Sequence, residues 1–123
     1  MASNKIIRFG PVALSNAAAN IVNPPTLTGG TGLANTNAST YIILRHIRIV
    51  NRTSSPASVS LYIGATGASA SGTEFAFTGA VVAGNSYLDW YGLVRLEPAD
   101  FLTGLATAVS TLTFEAEGEI GIV

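Results

Sequence analysis

The chain has 123 residues, enough for one domain with one core, and it is 48% hydrophobic but only 11% charged, against about 25% in ordinary soluble domains. Its net charge of −1 leaves no basic footprint for nucleic acid, and it has no cysteine for a disulfide, a thiolate nucleophile or a zinc–thiolate site. Gly, Ala, Ser, Thr and Asn take the place of the missing charge, so much of the surface is expected to face other protein.

Lys5 to Phe9 reads as a short strand, which Gly10-Pro11 ends. The apolar stretch from Phe9 to Leu14 is short and broken by Gly10-Pro11, so it reads as part of the working protein and not as a cleaved signal. No apolar run approaches the roughly 18 residues needed to span a membrane. Val12 to Ser39 is small and polar, with Asn23-Pro24-Pro25 and Gly29-Gly30. Loops beyond about 12–15 residues are uncommon inside compact domains. This one carries spaced apolar residues, Val12, Leu14, Ile21, Val22, Leu27 and Leu33. It is expected to be an extended arm lying along a surface, its own or a neighbour's. The division is therefore residues 1–40, an N-terminal strand and arm, and residues 41–123, a β-domain.

Tyr41 to Gly64 predicts a long strand, a turn over Asn51 to Pro56 and a second strand. In the second strand Val59, Leu61 and Ile63 share one face, while Ser58, Ser60 and Tyr62 share the other. The first is apolar on both faces: Ile43, Ile47 and Ile49 align with Arg45, and Ile42, Leu44 and Val50 with His46 and Arg48. Gly64 to Gly72 is a loop; it lacks the Gly-Lys-Ser/Thr of a phosphate cradle. Thr73 to Thr78 alternates as a strand, Gly79 to Gly84 is an apolar turn, and Asn85 to Tyr91 alternates again before a kink at Gly92. Glu97 to Leu102 predicts a short helical turn, closed by Gly104. From Val109 onward, Leu112, Phe114, Ala116, Gly118, Ile120 and Ile122 form one row, with Thr111, Thr113, Glu115, Glu117 and Glu119 opposite. Seven or eight strands with almost no helix predict an all-β fold: a single antiparallel β-sandwich, jelly-roll-like by analogy with small self-assembling coats, with a long N-terminal arm.

Catalytic signals are weak. His46 is the only histidine, and no Gly-x-Ser-x-Gly elbow accompanies it. Glu115, Glu117 and Glu119 recur every second residue, about 6.5–7 Å apart along a strand, too far to share one calcium easily. Pairing of this acid row with arginines, for example Arg48 or Arg52, within the sheet or across an interface, is the better reading. Trp90 shares a row with Leu88 and is expected in the core; Trp90 and Tyr91 also raise a sugar-stacking alternative. Asn51-Arg52-Thr53 and Asn37-Ala38-Ser39 match the glycosylation sequon, a short pattern common by chance.

Leu44-Arg45-His46-Ile47-Arg48-Ile49-Val50-Asn51-Arg52-Thr53, Leu61-Tyr62-Ile63-Gly64-Ala65-Thr66-Gly67, Asp89-Trp90-Tyr91-Gly92-Leu93, Asp100-Phe101-Leu102 and Glu115-Ala116-Glu117-Gly118-Glu119-Ile120-Gly121 together resemble small virion structural proteins of tailed bacteriophages, most closely the capsid decoration, or cement, proteins. The resemblance spans Tyr41 to Val123. It implies a non-enzymatic protein without cofactor or metal, made in the host bacterial cytoplasm and carried on the virion. It implies a homo-oligomer, a trimer first, in contact with the major capsid protein or another virion protein, with no nucleic acid or membrane as partner. A neck or tail component, or a tail-fibre module that binds host glycan, is the alternative. The candidate interface residues are Val12, Leu14, Ile21, Val22, Leu27, Leu33, Arg48, Arg52, Glu115, Glu117 and Glu119.

Overall fold

The computed structural model describes residues 5–22, 40–64 and 71–122. Eight strands run in order: β1 Lys5–Ala13, β2 Ala19–Val22, β3 Thr40–Asn51, β4 Ala57–Gly64, β5 Ala80–Val82, β6 Tyr87–Leu96, β7 Phe101–Ala106 and β8 Leu112–Ile122. They form two four-stranded antiparallel sheets. Sheet I has the order β1-β8-β3-β6 and sheet II the order β2-β7-β4-β5. The first strand thus pairs with the last, the second with the second-last, and so on inward to β4 and β5.

One apolar cluster joins the sheets. Sheet I gives Phe9, Ile42, Leu44, Ile47, Ile49, Leu112 and Phe114; sheet II gives Ile21, Val22, Val59, Leu61, Val82 and Leu102. This is the inner layer of a β-sandwich. The predicted rows of β4 and β8 hold, because strict alternation fixes which residues turn inward. In β3 the row expected from Ile43, Ile47 and Ile49 is corrected. A register shift between Leu44 and His46 inserts one residue, so Ile42, Leu44, Ile47 and Ile49 all point inward. The strand therefore has one apolar face and one mixed face. At the shift Gly118 lies against the Ile43 carbonyl, where a Cβ would collide with that oxygen.

The N-terminal expectation is also corrected. The strand expected over Lys5 to Phe9 is present but does not end at Gly10-Pro11; it runs on to Ala13, and Ala19–Val22, inside the expected arm, is the β2 strand, with Leu14, Ile21 and Val22 buried in the chain's own core and Val12 packed against it. Shifts between Phe9 and Val12 and between Asn20 and Val22 break the alternation that would have revealed strands. At the first shift, Gly10 has φ +93°, and a Cβ there would sit 2.8 Å from the Phe114 carbonyl oxygen. Leu27 and Leu33 lie outside the described residues.

Three local readings change as well. Thr73 to Thr78 is not a continuous strand: it bridges to Tyr62 at Glu74, Ala76 at φ 65° interrupts it, and the carbonyl of the buried Phe77 then accepts from the Leu61 N–H at 2.9 Å. Ala80–Val82 is a strand because Val82 and Ala57 pair inward, not a turn. Glu97 to Asp100 is a tight turn, not helix: the Asp100 N–H donates to the Glu97 carbonyl, and the Asp100 carboxylate accepts from the Glu97 N–H, both at 2.9 Å. Phe101 onward then pairs with β4 as the β7 strand.

Candidate functional site

Charge is segregated between the sheets. The strands of sheet I carry five of the six Lys and Arg and four of the seven Asp and Glu; those of sheet II carry none. Because β3 and β8 lie in the middle of sheet I, their outward residues meet neighbours on both sides.

Asp89 on β6 is the centre of this face. Arg48 on β3 donates to it through two nitrogens, Nε at 2.7 Å and an Nη at 2.9 Å. His46 Nε2 lies 2.9 Å from the same carboxylate, and Nδ1 lies 3.4 Å from Glu117 Oε1. The Arg48 hydrogen bonds, reinforced by His46, hold the Asp89 carboxyl down at about 2 against the burial that opposes them. The Asp89 hydrogen bond in turn pushes the Arg48 guanidinium above its usual value. Arg48 also covers the Tyr87 ring at 4.3 Å, and Arg95 the Tyr41 ring at 4.0 Å. Both His46 nitrogens face carboxylates, which accept protons from hydrogen-bond donors. The imidazole is therefore braced between Asp89 and Glu117.

Within the sheet the acid row does pair with an arginine, but with Arg45 and not with Arg48 or Arg52. Glu115 stands opposite Arg48 in register, yet Arg48 turns to Asp89 on the other flank. Glu119 binds Arg45 at 2.7 Å, and Glu117 faces His46. Arg52 leaves the sheet and donates from Nε to the Ser110 carbonyl at 2.7 Å. The outward row Tyr87, Asp89, Tyr91 was visible in the sequence, but its register against His46 and Arg48 was not.

Trp90 is half-buried and meets Phe75 edge-on at 5.0 Å, against the core as expected. Tyr91 is 71% exposed and stacks on His46, with ring centroids 4.6 Å apart and planes 18° apart. Beside it lies an open hollow of about 400 Å³ lined by Ile6, Arg45, His46, Tyr91, Glu117, Gly118 and Glu119.

Asn51, the acceptor of the first sequon, is 1% exposed. Its Nδ2 donates to the Ser55 and Val82 carbonyls at 2.8 and 3.0 Å, while Oδ1 accepts from the Thr53 N–H and hydroxyl. The amide that would carry a glycan instead ties the end of β3 to β5 in the other sheet. Asn37 lies outside the described residues. Among the described residues no group of three His, Cys, Asp or Glu could hold a metal ion, and no helix is long and apolar enough to cross a membrane.

No protein-family model matches this chain, and no curated protein is significantly similar to it.

Proposed function

We propose that this protein is a non-enzymatic structural component of a tailed-phage virion, a homo-oligomer that decorates and stabilises the outside of the capsid. The observation that carries the reading is the segregation of charge. Protein interfaces are depleted of charged residues at their centres, and the strands of sheet II have no charged side chain to desolvate. We assign the contact with the major capsid protein to that side and solvent exposure to the paired charges of sheet I. The pairing of first strand with last, second with second-last, supports a jelly-roll winding, an architecture used by viral coats. The motif resemblance over Tyr41 to Val123 supports the phage context and the trimer. The virion is the destination of a chain made in the host bacterial cytoplasm.

Quantitative mass spectrometry of purified particles tests the placement. A copy number comparable to that of the major capsid protein is expected. A number matching a single ring would move the protein to the neck or tail. Light scattering of the isolated protein tests the oligomer, and a stable monomer at high concentration would count against it.

A further inference from the structure

The hollow on sheet I has a composition that the structural role does not use. We infer that it is a binding site for a neutral carbohydrate, with Tyr91 as the stacking platform. The inference is independent of where the protein sits on a particle.

A sugar ring has an apolar face of C–H bonds and a rim of hydroxyls. The C–H bonds carry partial positive charge and suit the negative face of an aromatic ring. Tyr91 uses one face on His46 and leaves the other to solvent, which accounts for its 71% exposure. The ring is held in place from below: Arg48 fixes Asp89, Asp89 fixes His46, and His46 supports Tyr91. A platform ordered before binding loses little side-chain freedom when a ligand arrives.

The rim supplies the polar half. The Glu117 carboxylate has 59% side-chain exposure and can accept from sugar hydroxyls. Arg45 is 55% exposed while anchored to Glu119, so it keeps donors for hydroxyl oxygens. Charge decides the class of ligand. The lining holds one arginine and two glutamates, with Arg45 neutralised by Glu119, which disfavours phosphate and other anions. The hollow is too open to enclose a small apolar ligand, whereas a glycan can lay a C–H face on the ring and keep much of its rim in water.

Saturation-transfer difference NMR on the full chain tests this, with glucose, galactose, mannose, N-acetylglucosamine and lactose as probes and arginine methyl ester as a cationic control. Transfer to the ring C–H protons of at least one sugar is expected, with shifts of the Tyr91 ring protons. Tyr91→Phe should keep the effect. Tyr91→Ala should weaken binding about three- to tenfold, the scale of one aromatic contact. Glu117→Ala should also weaken it while leaving the melting curve in place. Absence of transfer to every sugar, transfer undiminished in Tyr91→Ala, or a response to arginine methyl ester alone would each overturn the inference. Tyr91 ring shifts in the unmodified protein keep the test decisive if Tyr91→Ala fails to fold.

Discussion

Sheets I and II turn the same kind of side chain inward and opposite kinds outward. On sheet I, Arg45, His46 and Arg48 of β3 meet Asp89 of β6 on one side and Glu117 and Glu119 of β8 on the other. On sheet II, the outward row is uncharged, with Ser58, Ser60 and Tyr62 beside Phe101 and Leu105: Ser60 Oγ accepts from the Gly79 N–H at 2.8 Å, and Val81 is 61% exposed. Both faces solve the same problem of a half-buried sheet. The charged one specifies lateral partners and keeps water, while the uncharged one leaves little to desolvate against another protein. The difference teaches that the sparse charge of this chain is not spread evenly; it is gathered on the strands of one sheet, beside exposed Ile6, Tyr87, Tyr91 and Leu93, and is absent from the strands of the other.

The largest expected effect is on what the faces share. Phe114→Ala should cost about 3–5 kcal/mol, a large part of a typical total, because a fully buried ring leaves a cavity between the sheets. Urea melts should show both sheets lost together, and a separate transition for either would break the comparison. Asp89→Asn comes next, at about 1–3 kcal/mol, because Arg48 and His46 lose their shared charged acceptor.

The same residue gives sheet I an acid limb. The Asp89 carboxyl is lowered on folding, so its stabilisation is present above its unfolded value near 3.8 and fades as pH falls toward about 2. Asp89→Asn should flatten that limb in pH-dependent melts; an unchanged limb would place the acid sensitivity elsewhere.

A smaller stability effect sharpens the other side. Val81→Asp, at an exposed site, should change isolated stability by under about 1 kcal/mol while weakening attachment to particles. Normal attachment would remove sheet II from the contact. The smallest effect is expected for Glu117→Gln, well under about 1 kcal/mol, since its carboxylate is mostly exposed and its bond to His46 is long. A large loss in calorimetry would mean that Glu117 carries more of the network than its geometry shows.

What the sequence made legible follows from where the period is unbroken. Val59, Leu61 and Ile63 in β4, and Leu112, Phe114 and Ala116 in β8, alternate without a slip and are read correctly from spacing alone. The β3 strand slips at Arg45, so its two rows exchange halfway and look apolar on both faces. Leu14, Ile21 and Val22 sit beside similar shifts among Asn, Ala and Gly, which hides the end of β1 and the whole of β2 inside an apparent arm. Glu97-Pro98-Ala99-Asp100 carries residues equally suited to a helix start and to a turn, and only pairing with β4 settles the strand that follows. The site was half legible. Its residue types stood in plain view, but Arg48 chooses Asp89 over Glu115 through strand order, which is a long-range property.

The most direct test of the central claim is a density map of an intact particle that incorporates this protein. The account predicts the sandwich repeated over the outer surface of the head, sheet II against the shell and sheet I, with Tyr91, toward solvent. Density for it confined to a single ring at the neck or tail, or a head lattice with sheet I against the shell, would contradict it.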